Sequence, residues 1–85
     1  MKKVILYTKP MCGYCARALA LFKRKGVETI DISAAYDKDL RAEMLAKSNG
    51  KTTFPQIFID DVHVGGYDEL FALDIEDKLD ALLNA

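Results

Sequence analysis

Eighty-five residues leave room for one hydrophobic core, because domains usually run to roughly 100–150 residues, and residues 1–85 are read as a single domain. An apolar share of 51% with 29% charged residues excludes a chain too polar to fold. Twelve Lys plus Arg against thirteen Asp plus Glu, a formal net charge of −1, exclude the basic excess that phosphate-backbone binding needs, so no nucleic-acid partner is expected.

Lys2 and Lys3 precede only Val4 to Tyr7, short of a signal core of about 7–15 apolar residues. No stretch approaches the roughly 20 of a membrane span, and the expectation is a soluble, cytoplasmic protein with no membrane partner. Lys3 to Tyr7, rich in Val, Ile and Tyr and closed by Lys9-Pro10, predicts a buried strand. Cys15, Ala18, Leu19 and Phe22 then recur at helical spacing, and Lys23, Arg24 and Lys25 before Gly26 give a basic last turn and a stop. Val27 to Ser33 alternates with period two, a second strand. Asp37 can cap a helix carrying Leu40, Met44 and Leu45, with Asn49 and Gly50 as its end. Gln56 to Ile59 and Val62 to Val64, joined by Asp60-Asp61, predict a hairpin that Gly65-Gly66 closes. From Asp68 the residues Phe71, Ile75, Leu79, Leu82 and Leu83 form a helical stripe that needs a sheet face to cover. The order β-α-β-α-β-β-α predicts an α/β fold: a four-stranded mixed sheet flanked by three helices lying on both faces. Met11, Met44 and the leucines read as core or rim, and His63 as a surface residue on an edge strand.

The chemistry centres on Cys12 and Cys15, the only cysteines. A bridge closing so short a loop would stabilise little, so the pair is not a structural staple. Cys12 falls between a strand and a helix, where free N–H groups, the positive end of the helix dipole and the nearby Lys9 favour a thiolate, the attacking species in disulfide exchange. Cys12 is therefore read as the nucleophile. Cys15, one turn on, is placed to attack any mixed disulfide formed on Cys12. Half of a zinc site is the competing reading, but it needs two more ligands, and the chain offers only His63 and no second Cys-x-x-Cys. Two incidental thiols are the other. Cys-x-x-Cys at a strand-to-helix turn favours a thioredoxin-like redox centre.

Three segments carry a resemblance. Tyr7-Thr8-Lys9-Pro10-Met11-Cys12-Gly13-Tyr14-Cys15, then Thr52-Thr53-Phe54-Pro55-Gln56-Ile57-Phe58-Ile59, then Gly65-Gly66-Tyr67-Asp68-Glu69-Leu70 resemble, in order, the active-site, TVPQIFI and GG-x-D-[DE]-L segments of the glutaredoxins. Thioredoxin fits worse, since its motif puts a Trp before the first Cys and this chain has no Trp. The resemblance implies a thioredoxin-like fold and a glutathione groove beside Cys12. In that groove Lys9, with Arg41 as a second candidate, would hold the glycyl carboxylate. The Thr53, Phe54 and Pro55 segment, with a cis proline, would pair with the cysteinyl backbone. Gly66, Tyr67 and Asp68 would take the γ-glutamyl end, and Tyr14 would flank the peptide. It also implies glutathione as electron donor, glutathionylated or disulfide-containing proteins as partners, and a monomer. Gly13 stands in place of the usual proline and Phe54 in place of a β-branched residue, while Tyr67 falls at a variable position. With glycine at position 13 the resemblance extends to members that hold a [2Fe-2S] cluster between two subunits through the first cysteine and glutathione, which would make Cys12 a metal ligand. A thioredoxin-like reductant served by a flavoprotein reductase is the rival enzyme reading.

Overall fold

The computed structural model describes residues 2–84. Its elements run β1 (Val4–Thr8), α1 (Gly13–Arg24), β2 (Thr29–Ser33), α2 (Lys38–Lys47), β3 (Gln56–Ile59), β4 (Val62–Gly65), α3 (Tyr67–Ile75) and α4 (Leu79–Asn84). The sheet order is β2-β1-β3-β4, with β2 parallel to β1 and the other neighbours antiparallel. This is the predicted mixed sheet, and it places β1, the strand leading into the cysteines, at the centre.

Alternation along the central strands sends side chains to two cores. Val4 and Leu6 of β1 meet Ile57 and Ile59 of β3 under Ala18, Leu21 and Phe22 of α1, together with Leu70, Leu79 and Leu83. Tyr7 and Phe58 face the other way, against Met44 of α2, with Ile5, Ile32 and Leu40 around them. Tyr7 also donates its hydroxyl proton to Glu43 at 2.6 Å; burial first, and this carboxylate second, raise the phenol well above its usual range.

Each helix end has a local cause. Asp37 accepts from the N–H groups of Asp39 and Leu40, both at 3.0 Å, and starts α2. Gly26 (φ 71°) and Asn49 (φ 61°) end α1 and α2 in the left-handed conformation, with Val27 N–H returning to Phe22 C=O at 3.0 Å and Gly50 N–H to Leu45 C=O at 2.8 Å. Asp60 and Asp61, at φ 48° and 66°, give the two positive φ values that a two-residue hairpin turn of matching twist requires.

The tail departs from expectation. The single helix predicted from Asp68 breaks into α3 and α4 at Asp77, φ 58°, where Lys78 N–H reaches back to Leu73 C=O at 2.8 Å. Among the described residues the flanking helices therefore number four. At about 100° per residue, Leu79 lies half a turn from Leu70 on a continuous helix. The break re-aims it, so that Leu70, Leu79 and Leu83 all reach the same core. Phe71 and Ile75, read as core from their spacing, remain exposed. Lys25 at the end of α1 fastens both pieces, at 2.8 Å from Asp74 and 2.9 Å from Asp80. Those carboxylates, Asp74 first, raise the ammonium above its ordinary range.

Candidate active site

The β1–α1 turn presents the cysteines. Met11, at φ 57° and fully exposed, turns the chain so that Cys12, in extended conformation, becomes the residue capping α1. Its Sγ accepts the Cys15 N–H at 3.2 Å, and its carbonyl accepts the Ala16 N–H at 3.1 Å. Cys12 is half-buried, whereas Cys15 is buried in the first turn of α1. Burial, followed by the hydrogen bond its thiol makes to Cys12, pushes the Cys15 thiol up to about 12, against a smaller opposing pull from the Lys9 backbone N–H. One sulfur is thus reachable and the other is held protonated behind it.

Beside Cys12 lies a cleft of about 360 Å³ lined by Tyr14, Thr53, Phe54, Pro55, Gly66, Tyr67, Asp68 and Glu69. Three segments converge there: the start of α1, the loop before β3, and the turn out of β4 with the first residues of α3. The Phe54–Pro55 peptide bond is cis, and the Phe54 carbonyl lies 3.9 Å from Cys12 Sγ, which joins the sulfur to the cleft. Seven residues proposed from the sequence as a groove come together here. Lys9 stands to the other side of Cys12, its ammonium 5.9 Å from the centroid of the Phe54 ring. It lines a neighbouring depression of about 540 Å³ with Thr8, Cys12, Cys15 and Asp31. Arg41 is not brought in: it sits exposed on α2 and lines neither depression.

Three features escaped the sequence reading. Glu69 accepts the Gly66 N–H at 2.7 Å, so this amide is already occupied and the free donors at the start of α3 begin one residue later. The signal was available in the spacing Gly66-x-x-Glu69, a carboxylate reaching back from the third helical residue. Gln56, buried, donates to the Thr53 carbonyl at 2.9 Å and the Thr53 hydroxyl at 3.0 Å, bracing the cleft floor. His63, read as a surface residue, is half-buried, packs on Phe58 at 4.9 Å between centroids and has Nε2 2.7 Å from Gln56 Oε1. Because the Gln56 amide nitrogen is committed to Thr53, its oxygen faces His63 and the imidazole Nε2 carries the proton. Among the described residues no group of three or more His, Cys, Asp or Glu side chains gathers as a metal site, and no helix is long and apolar enough to cross a membrane.

A mixed sheet whose central strand delivers a Cys-x-x-Cys pair to a helix start defines a dithiol protein of the thioredoxin-like fold. The glutaredoxin family profile matches residues 4–64. A glutaredoxin of Pseudomonas aeruginosa is 51% identical over 85 residues, covering 100% of both chains. The solution structure of glutaredoxin from Brucella melitensis is similar with a TM-score of 0.84 at 58% identity, covering 98% of this chain and 89% of that one. A buckwheat glutaredoxin–glutathione complex is similar with a TM-score of 0.86 at 29% identity, covering 98% and 77%. The chain belongs to the glutaredoxin family, and thiol–disulfide oxidoreduction is the activity that membership carries.

Proposed function

We propose that this chain is a glutathione-dependent oxidoreductase that reduces glutathione mixed disulfides and protein disulfides, working as a monomer in the cytoplasm. The observation that carries the reading is the position of Cys12 Sγ 3.9 Å from the carbonyl of Phe54, a residue that lines the cleft, with a cation, Lys9, beside Cys12 in the neighbouring depression and a carboxylate, Asp68, in the cleft. Glutathione has a glycyl carboxylate at one end and a γ-glutamyl ammonium and carboxylate at the other, and this distribution of charge is complementary to it. The buckwheat relative was solved with glutathione, which supports the same ligand here.

In this reading Lys9 holds the glycyl carboxylate, the Phe54 backbone pairs with the cysteinyl unit in the manner of an added strand, and Tyr14 covers it. The free N–H groups of Tyr67 and Asp68 take the γ-glutamyl carboxylate, and the Asp68 side chain takes the ammonium. Cys12, as thiolate, attacks the glutathione sulfur of a mixed disulfide. The substrate sulfur leaves as a thiolate and takes up a proton, and a second glutathione thiolate then attacks the Cys12–glutathione bond, releasing glutathione disulfide and restoring Cys12. On a protein disulfide, Cys12 attacks one sulfur and the other leaves as a thiol; Cys15 then attacks Cys12 Sγ, forming the Cys12–Cys15 disulfide as the second substrate thiol leaves. Glutathione then reduces the pair.

A second reading has Cys12 as a ligand of a [2Fe-2S] cluster between two copies. It is supported by the uncrowded first helical position, where a Cβ on Gly13 would meet nothing within 4 Å, so a partner can approach the sulfur. With Cys15 buried, one chain offers a single thiol, and a cluster needs two chains and two glutathiones for four ligands. Anaerobic reconstitution with iron, sulfide and glutathione, read by visible absorption and sedimentation, tests it; a colourless monomer removes this reading and leaves the first intact.

The deciding assay for the main reading is reduction of a small glutathione mixed disulfide, coupled in parallel to glutathione with glutathione reductase and to thioredoxin reductase. Turnover with the first donor alone is expected. Turnover supported by thioredoxin reductase and not by glutathione would transfer the chain to the thioredoxin-like reading.

A further inference from the structure

The cleft does not end at Tyr67. The Tyr14 and Tyr67 rings, both lining it, lie 6.0 Å apart, and Phe71, one helical turn further along α3, stacks on Tyr67 at 5.8 Å with 22° between planes. Ile75 follows one turn later, 65% exposed. The row Tyr67, Phe71, Ile75 has the i, i+4, i+8 spacing of one helix stripe and runs about 12 Å from first to last. Tyr67 packs against the core at its inner edge, but Phe71 and Ile75 have no part in that core, which Leu70 supplies from the same helix. Glutathione spans only three residues, so a ligand seated beside Cys12 leaves the outer half of the row uncovered.

We infer that this aromatic row seats the polypeptide flanking a substrate's target cysteine, and that it selects segments carrying an aromatic or large aliphatic side chain together with a Lys or Arg. The inference rests on the exchange chemistry proposed above and names its protein substrate class. Its length suits about four residues of extended chain at roughly 3.3 Å each. Charge decides the occupant. Residues Tyr67 to Glu76 contain Asp68, Glu69, Asp74 and Glu76 and no Lys, Arg or His; of these, Asp74 is matched by Lys25 and Glu76 by Lys78, which leaves Asp68 and Glu69 to set the sign of the field. A two-fold contact between copies would set this acidic helix against itself, whereas a cationic segment meets opposite charge. Arg17 does not reverse the field, since its guanidinium lies over Tyr14, 5.3 Å from the centroid, on the α1 side of the row.

The test uses the reduced full-length protein and hexapeptides in which one Cys carries thionitrobenzoate as a mixed disulfide. Cys12 thiolate attacks the peptide sulfur, the S–S bond breaks, and thionitrobenzoate leaves as its coloured thiolate, so no glutathione is needed. A peptide with Phe and Lys flanking the Cys is expected to react about threefold to tenfold faster than one flanked by Ser, the size of one aromatic contact. Phe71→Ser and Ile75→Ser should each erode that preference, with the rate on free dithionitrobenzoate and the melting temperature unchanged. Equal rates for all peptides, a preference that survives both substitutions, or a peptide with Glu outrunning the one with Lys overturns the inference. If the preference holds while glutathione-coupled turnover is absent, the row stands and the glutathione reading falls.

Discussion

Gly65, the last residue of β4, offers a sharp test of how the cleft is held. At φ +119° it occupies a region that L side chains rarely adopt, and a Cβ built there would lie 2.6 Å from Glu69 Oε1, 3.0 Å from its Cγ and 3.1 Å from its Cδ. The same carboxylate oxygen accepts the Gly66 N–H at 2.7 Å. Gly65→Ala therefore has two costs. The backbone penalty is about 1–3 kcal/mol, and expulsion of the Glu69 carboxylate from its cap adds about 1 kcal/mol. In a Glu69→Ala background the second cost has already been incurred, so the same substitution should destabilise by the backbone penalty alone. Urea unfolding of the four proteins of this cycle is expected to give a coupling of about 1 kcal/mol. Because Gly66, Tyr67 and Asp68 line the cleft, Gly65→Ala should also raise the KM for glutathione. Additivity within about 0.3 kcal/mol would refute the claim that the carboxylate fills the space a side chain would need.

Cys12→Ser should abolish all exchange, while Cys15→Ser keeps reduction of a glutathionylated peptide and loses most reduction of a protein disulfide; activity in the Cys12 variant would overturn the nucleophile assignment. Since burial pushes the Cys15 thiol up to about 12, it is protonated at neutral pH and its thiolate fraction grows about tenfold per pH unit below that value. Stopped-flow rates of the resolving step should therefore climb steeply from about pH 7 to 9, a slope absent from the single-thiol route of Cys15→Ser. Lys9→Ala and Asp68→Ala remove exposed charges, so each should cost about twofold to fivefold in kcat/KM for glutathione, shrinking with added salt; no change in either removes the charge match. His63→Leu leaves the buried Gln56 oxygen without its donor and should cost about 1–3 kcal/mol in thermal unfolding, with His63→Gln restoring most of it. Equal stability of the Leu and Gln variants would mean that the 2.7 Å contact contributes nothing.

What could be read from the sequence was what single residues or short periods encode. Asp37, Gly26 and Asn49 announce helix ends because a side-chain acceptor or a left-handed backbone is a property of one position. Asp77 performs the same stop but was missed: aspartate is a weak left-handed signal, and the apolar spacing ran straight across it. The spacing was also blind to which apolar residues the core needs. Leu70 is enclosed and Phe71 is not, a choice set by how α3 leans on β4 and the sheet. Seven residues named through the three family-like segments line the cleft, whereas Arg41 sits exposed on α2, outside that lining. The His63–Gln56 contact was invisible for another reason: it joins neighbouring strands across a local irregularity in their register, and no local pattern records that.

The sulfur proposed to carry out exchange is also the atom that caps α1. Any bond formed on Cys12 therefore edits the helix, and folding and oxidation become two legs of one thermodynamic cycle. If the cap contributes about 1 kcal/mol when the sulfur is free, its loss on oxidation lowers the melting point of the oxidised protein. The same 1 kcal/mol makes the bound disulfide easier to reduce by about 20 mV for a two-electron couple. A calorimeter and a redox titration on this chain would thus report one quantity, and substitutions along the first turn of α1 would tune the potential by changing how much the helix gains from a free sulfur.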